Sequence, residues 1–409
     1  MERTVVIRSP KAEVPLKARR SLYICEGAPS IALAVEVPDN VGVEALTEWA
    51  QRVESLSLER VGESLSVDMV AVRHVASRAE KLAEAVEILE STTKKPIIIR
   101  SLDAEALELA LKSLDGHRPL IYPAMGENWR KMASLAIKYD AVPAVSEFSL
   151  ERMRVLVQNL SKLGVEDLVL EFGVNAKVEG RLSVELRNLA RAREASLNGV
   201  KEFAHPFMAI ITKTHPNTKH ENSVDASMKE TLAASALMLR YADLIILRET
   251  QVWALLPLLV LKQELRSDPS RPPKVEPGLR RIGSPGVDSP VLITSNYRQT
   301  YHIVRSDLET CGVDCYLLVV DTGGLSVRSA VAGGQLNPSV IVEALRVSGV
   351  EELTRRRLLV LPGYASSLRD EVERLTGWRV LVGPKDSMKI GEFLAKNLPE
   401  RRQPSPRRA

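Results

Sequence analysis

One pattern constrains this chain more than any other. From about residue 30 to residue 266, short apolar runs alternate with longer amphipathic stretches. Eight runs have strand character: residues 30–37, 67–72, 96–100, 119–124, 141–146, 167–172, 207–212 and 243–247. Most are continuously apolar, as parallel strands covered on both faces must be. Between them, residues 76–89 carry Ala, Leu and Val at three- and four-residue spacing, the stripe of a helix packed on one side. Residues 149–163 repeat that spacing, with Ser149 placed to cap the first turn. Eight strands and seven or eight helices over this length match a (β/α)8 barrel in count and size. The alternative arrangement of the same elements is an open, doubly wound sheet.

The alternation stops at residue 267. Residues 267–290 contain six of the 23 prolines and neither a helix nor a strand period, which predicts a connector lying along a surface. A second α/β pattern follows, with strands expected at 291–294, 316–320, 358–361 and 379–382, and helices near 299–309, 337–348 and 366–375. Pro338 and Gly349 frame the second of these helices. The expected fold is thus α/β throughout: a TIM-like (β/α)8 barrel over 1–266, a Pro-rich linker over 267–290, a small Rossmann-like domain over 291–398, and a disordered basic tail over 399–409.

Charge and cysteine content narrow the function. Lys and Arg number 56 against 52 acids, and the whole excess of +4 resides in Arg401, Arg402, Arg407 and Arg408. The rest of the chain is neutral, so no basic face for nucleic acid is expected. No apolar run approaches the roughly 20 residues of a bilayer span. Residues 1–20 carry charges throughout and lack the apolar core of a signal peptide, so a cytoplasmic protein with no membrane contact is expected. Three cysteines, Cys25, Cys311 and Cys315, exclude a disulfide framework and, by themselves, a four-thiolate cluster.

The strongest local signal for chemistry is Asp321-Thr322-Gly323-Gly324-Leu325-Ser326-Val327, directly after an apolar strand. Its glycines allow a ligand to approach the backbone closely, and hydroxyls flank them. Three other expected strand ends point the same way: Thr294-Ser295-Asn296, Pro362-Gly363-Tyr364 and Gly383-Pro384. Together they could form a ligand platform; each alone is equally compatible with ordinary turn chemistry. Neither G-x-G-x-x-G after the first strand of this domain nor G-x-x-x-x-G-K-[ST] anywhere is present. Cys311 and Cys315 read as free thiols. His205, His215, His220 and Glu221 are expected in a polar stretch after the seventh barrel strand, where a solvated loop is favoured over a zinc site. Asn128, Trp129 and Glu171 are expected to face the barrel mouth.

Ordered blocks give a further lead. They include Ser289-Pro290-Val291-Leu292-Ile293-Thr294-Ser295-Asn296-Tyr297, the 321–327 segment, Leu361-Pro362-Gly363-Tyr364, Gly377-Trp378 and Val380-Leu381-Val382-Gly383-Pro384. In the barrel they include Glu127-Asn128-Trp129, Tyr241-Ala242-Asp243 and Leu255-Leu256-Pro257-Leu258-Leu259. Over roughly residues 115–395 the chain resembles the large (gamma) subunit of the corrinoid iron–sulfur protein of the acetyl-CoA decarbonylase/synthase system. The resemblance implies a methyl carrier of one-carbon metabolism that binds a cobamide (a corrinoid holding cobalt). Its cobalt would accept a methyl group from a methyl-tetrahydropterin or folate and pass it to acetyl-CoA synthase. The cofactor would lie between the C-terminal domain and the small (delta) subunit of a heterodimer. Carried over position by position, the family's cobamide contacts fall on Thr294, Thr300, Gly324, Leu325, Ser326, Val327 and Ser387.

Two departures shape the expectation. The family's N-terminal domain holds a [4Fe–4S] cluster on four cysteines, whereas residues 1–30 contain only Cys25. No iron–sulfur cluster is therefore expected, and an external reductive activator is. Phe172-Gly173 follow Glu171 where the family has aspartate and proline. The D-x-H-x-x-G motif of another corrinoid class is missing, so cobalt is expected to lack a protein ligand. Two other readings compete: a barrel-centred pterin-dependent methyltransferase, and a scaffold subunit of the same complex without cofactor.

Overall fold

In the computed structural model, residues 3–19, 31–173, 181–211, 223–248, 250–266 and 273–397 are described. The first elements are an antiparallel pair, β1 (Thr4–Ser9) and β2 (Ala12–Lys17). The eight expected barrel strands then all form: β3 (Ala32–Pro38), β6 (Met69–Arg73), β7 (Ile97–Arg100), β8 (Leu120–Ala124), β9 (Val142–Ser146), β10 (Val169–Glu171), β11 (Phe207–Ile210) and β12 (Leu244–Leu247). Two short strands, β4 (Leu58–Arg60) and β5 (Glu63–Leu65), pair with each other after the first helix. Each barrel strand pairs in parallel with the next, and β12 returns to β3 with Ile245 opposite Leu33. That last pairing decides for the closed barrel over an open sheet.

Closure explains why the runs are apolar at every position. Alternate residues point to opposite faces of a strand. Ala34, Met69, Ile98, Val142, Met208 and Ile246 fill the interior, while Leu33, Val70, Ile97, Ile121, Ala209 and Ile245 meet the helices. Those helices follow their sequence signals. Ser149 caps Leu150–Lys162 by accepting from the Arg152 N–H, and Asp103 caps Ala104–Lys112 through the N–H groups of Glu105 and Ala106.

The N-terminal pair was not among the expected elements, since residues 1–266 read only as barrel. Val5, Ile7 and Leu16 join the interior cluster, so the hairpin plugs one end of the barrel with apolar side chains. Paired Arg8 and Arg118 backbones, at 3.0 and 2.8 Å, fasten it. Just beyond it, buried Arg19 donates to Asp243 at 3.0 Å and to the Met238 and Ala242 carbonyls, and Arg193 reaches the same carboxylate at 3.0 Å. Both guanidinium groups and the Phe207 N–H satisfy this buried carboxylate, which burial without partners would penalise heavily.

The chain divides into two compact units, Met1–Leu58 with Ser64–Ser267 and Glu59–Glu63 with Asp268–Ala409. The sheet of the second has the order β13 (Gly278–Ile282), β15 (Cys315–Val320), β14 (Val291–Ser295), β16 (Leu358–Leu361) and β17 (Arg379–Val382). The last four are mutually parallel; β13 runs antiparallel along β15. This corrects the expectation for 267–290, which is not all connector. Gly278–Ile282 is an edge strand, where a glycine and two arginines are tolerated because one flank is unpaired. Leu279 packs on one face of the sheet and Ile282 on the other. The tail expected over 399–409 lies outside the described residues.

Helices cover both faces of this sheet. Arg298–Thr310 and Ile390–Asn397 cover one through Tyr301, Leu308, Ile390 and Leu394; Pro338–Ser348 and Arg369–Thr376 cover the other through Ile341, Leu345 and Val372. Pro338 opens its helix and Gly349 ends it at φ 65°, the left-handed conformation glycine adopts without strain.

Candidate functional site

The chain leaves β14 for β15 on one side and later returns to β16 on the other. The carboxyl ends of β14 and β16 therefore stand at a switch point, the place where open α/β sheets leave a crevice. A cleft of about 250 Å³ occupies it. Leu292, Thr294, Val360 and Leu361 contribute from the strands, Thr300, Ile303 and Val304 from the helix after β14, and Ser326, Val327 and Arg328 from the turn after β15. Tyr364, Gly383, Pro384, Lys385, Ser387 and Ile390 complete the wall. Gly363 makes this arrangement possible: a Cβ there would stand 2.7 Å from the Lys385 backbone nitrogen.

Polar satisfaction is uneven around the cleft. Thr294 is 1% exposed and its Oγ1 has no hydrogen-bond partner among the described residues. Ser295 Oγ shares that condition but does not line the cleft. An orphaned buried hydroxyl is costly, and one facing a cleft is a group that a ligand can satisfy. Ser387 Oγ is already bonded to Asp307. Ser326 Oγ accepts from the Ser329 N–H at 3.4 Å and caps the short helix Val327–Ala332.

The turn between β15 and that helix is held by Asn296, fully buried at the end of β14. Its Oδ1 accepts the N–H groups of Thr322 and Gly324, both at 3.0 Å, and lies 2.9 Å from the Thr322 hydroxyl. Its Nδ2 donates to Asp321 at 2.8 Å, and Asp321 in turn accepts the Gly323 N–H. Gly323 and Gly324 sit at φ 67° and 80°, so the two glycines serve backbone geometry.

Of the seven positions singled out by resemblance, Thr294, Thr300, Ser326, Val327 and Ser387 line the cleft. Gly324 and Leu325 do not. Gly324 lies behind the wall with its N–H on Asn296, and Leu325 packs toward the core. Of the expected strand-end segments, Pro362, Tyr364, Gly383 and Pro384 also line the cleft; sequence reasoning missed Arg328 and Lys385. Asn296 was noted only as a strand-end residue.

Other candidates fall elsewhere. His205 precedes β11 instead of following it and is 1% exposed; burial, and then the nearby Arg3 charge, depress its pKa to about 3. His215, His220 and Glu221 lie outside the described residues, as does Cys25. Among the described residues no group of three or more His, Cys, Asp and Glu could hold a metal ion. Cys311 is exposed, whereas burial pushes the Cys315 thiol up to about 12. Asn128 commits its side chain to the Met125 N–H and the Pro123 carbonyl. Glu171 is fully buried at the end of β10, accepting from Tyr122 at 3.1 Å and Ser146 at 2.5 Å. Glu36 pairs with Arg73 at 3.0 Å and contacts Arg100. Among the described residues no helix is long and apolar enough to cross a membrane.

Fold and cleft together define a class: a (β/α)8-barrel chain carrying a small doubly wound α/β unit with a ligand crevice at its switch point. The particular family follows from comparison with known proteins. The family described as CO dehydrogenase/acetyl-CoA synthase delta subunit matches residues 26–394, and this chain belongs to it. Similar curated relatives carry the gamma designation. The acetyl-CoA decarbonylase/synthase complex subunit gamma of Methanothermobacter thermautotrophicus is 38% identical over 89% of this chain and 79% of its own length. That of Methanopyrus kandleri is 37% identical over 88% and 78%. Among solved structures, a dihydropteroate synthase of Thermus thermophilus covers 64% of this chain and 100% of its own at 15% identity, with a TM-score of 0.42. That of Stenotrophomonas maltophilia covers 59% and 94% at 16% identity, with a TM-score of 0.43.

Proposed function

We propose that this chain is the corrinoid-binding methyl-carrier subunit of an acetyl-CoA decarbonylase/synthase complex, with the cleft between β14 and β16 as its cobamide site. The observation that carries the reading is the Thr294 hydroxyl, buried, without a partner among the described residues, on a residue that lines that cleft. Corrin side chains end in amides, which can satisfy such a hydroxyl as donors or acceptors. When bound, the cobamide supplies a cobalt that accepts and releases a methyl group; the protein's task is to hold and present it.

The residues fit that task. Ile303, Val304, Val360 and Ile390 give the cleft apolar walls, while Thr300 and Ser326 stand at its edge as hydrogen-bonding groups. Ser387 contributes by position, since its hydroxyl is engaged with Asp307. His302 shares a helix with Thr300 but is not in the cleft wall, which supports a cobalt held without imidazole from this chain. The methyl donor would be a methyl-tetrahydropterin or folate, the acceptor acetyl-CoA synthase, and reduction would come from an external activator.

A partner subunit is supported by a face of the barrel. Helix Ser223–Met238 exposes Val224, Met228 and Leu232 at four-residue spacing, and the adjoining Val252–Leu265 exposes Val252, Trp253 and Leu256. Thr231 Oγ1 donates to the Ala254 carbonyl at 3.0 Å, so the six side chains flank one contact. A cluster of this kind on a barrel exterior fits a stable apolar interface. The delta subunit is the partner proposed for it. Co-expression of both subunits with a cobamide supply tests the whole reading. Cobalt at one per chain with a corrin absorption spectrum is expected; a stable pair that takes up no corrinoid would overturn it.

A further inference from the structure

We propose that Arg328 and Lys385 form an anion-binding rim on the cleft and hold the phosphodiester of the cofactor's nucleotide tail. The inference rests on the cobamide reading and names which chemical part of the cofactor this chain recognises. Both residues line the cleft, Arg328 from the short helix after β15 and Lys385 from the loop after β17, and both approach one ring. The Arg328 guanidinium carbon is 6.0 Å and the Lys385 Nζ 5.6 Å from the centroid of Tyr364.

Two like charges brought to one aromatic ring repel each other, and neither has a carboxylate partner among the described residues. The neighbouring Asp386 makes no ion pair with Lys385 among the described residues; its Oδ1 accepts the Met388 N–H and caps the following turn. Asp307, which reaches the cleft residue Ser387, accepts that hydroxyl. Tyr364 is 44% exposed and offers both cations a cation–π surface, which positions them without discharging them. The cleft below is apolar apart from hydroxyls, among them the orphaned Thr294. A ligand matching this arrangement has an apolar or amide-bearing body and an anionic group at its margin. A phosphodiester bridging a guanidinium and an ammonium meets the second requirement through charge-assisted hydrogen bonds.

The test compares two corrinoids, a complete cobamide and cobinamide, which lacks the nucleotide and its phosphate. Each is titrated by corrin absorbance into the full chain co-purified with the delta subunit, for wild type and for the double variant Arg328→Ala/Lys385→Ala. We expect wild type to prefer the cobamide, and the double variant to bind it roughly ten-fold or more weakly with a shallower salt dependence. Cobinamide affinity should be unchanged, and Arg328→Lys/Lys385→Arg should restore most of the cobamide affinity. Equal loss for both corrinoids would assign the pair to packing and overturn the proposal, as would no loss for either. Wild type binding the two corrinoids equally would also overturn it while leaving the cobamide reading intact. Wild type binding neither would overturn both.

Discussion

Replacing Asn296 by alanine removes the one side chain that ties the end of β14 to the turn after β15. Two buried backbone donors, the N–H groups of Thr322 and Gly324, lose an acceptor that now lies at 3.0 Å. An unsatisfied buried donor costs about 1–3 kcal/mol. The Thr322 hydroxyl still reaches the Leu325 carbonyl at 2.8 Å, so it adds little. Asp321 loses a donor but is exposed and regains water. The expected loss is therefore about 2–5 kcal/mol, a large fraction of the 5–15 kcal/mol typical of a domain. Urea unfolding of the second unit's transition measures it, and hydrogen exchange at Thr322 and Gly324 localises it. Cobamide binding should fall in parallel, because Ser326 and Val327 hang from the same turn. A variant within about 0.5 kcal/mol of wild type, with those two amides exchanging as slowly as before, would refute the account of how this loop is held.

Other outcomes follow from the same reasoning. His205 titrates near 6.5 when unfolded but is depressed to about 3 when folded, so the unfolded state binds the extra proton and stability declines as pH falls from about 6.5 toward 3. At pH 5 the loss from this one group is about 2 kcal/mol, and His205→Gln should flatten that part of the pH–stability curve. Gly324→Val should impair cobamide binding through the backbone, because φ there is 80°, a conformation a β-branched residue rarely adopts. Gly324→Ala should cost about 1–2 kcal/mol of stability by the same route. Ser326→Ala, losing a helix cap, should cost about 1 kcal/mol and weaken binding only modestly; titration with circular dichroism separates these cases. Leu232→Glu with Trp253→Glu should abolish co-purification with the delta subunit and leave the chain folded, since both side chains are exposed; undiminished co-purification would remove this face from the interface.

What could be read in advance, and what could not, divides along physical lines. The eight barrel strands were legible because burial on both faces forces unbroken apolar runs, and helix ends were legible wherever a cap such as Ser149 or Gly349 marked them. The hairpin Thr4–Lys17 hid behind its charges, although Val5 and Ile7 alternate with exposed or half-buried positions, a period of two that could have disclosed it. Strand β13 was obscured because an edge strand can carry Arg280 and Arg281. At the site, the family resemblance gave Thr294, Thr300, Ser326, Val327 and Ser387, and the strand-end segments gave Pro362, Tyr364, Gly383 and Pro384. Arg328 and Lys385 were missed because a lone arginine or lysine has no sequence signature; only the fold brings both to Tyr364. His205 was grouped with residues after the seventh strand although its number places it before 207–212, and the structure puts it at the amino end of β11.

The barrel and the second unit differ in a way that bears on where a ligand would go. At the carboxyl ends of the barrel strands, Glu36 is matched by Arg73 and Arg100, and Glu171 by Tyr122 and Ser146. Burial lowers the pKa of Arg100, and the neighbouring Tyr122 and Glu171 act against that. A ligand entering there must first break contacts already made between buried groups, and breaking a buried ion pair costs several kcal/mol. Arg100 Nε also lacks a hydrogen-bond partner among the described residues, but the cleft of the second unit differs in joining its unmet groups to an open volume. Among the described residues Thr294 lacks a partner and two cations lack counter-charges, while apolar side chains border an open volume, so a matching ligand removes penalties that the free protein carries. Under the proposed cofactor-carrier reading the ligand occupies this cleft, whereas a barrel-centred pterin methyltransferase would hold it at the barrel mouth; the contrast says where each reading should be tested. It also makes the two separable by experiment: Glu171→Gln should disturb the barrel's stability and leave cobamide affinity unchanged, whereas Thr294→Val should weaken cobamide binding and leave stability equal or higher, because it removes a buried hydroxyl that the free protein cannot satisfy. If Thr294→Val instead destabilised the free protein, the hydroxyl would have a partner there, and the observation on which the cofactor assignment rests would be gone.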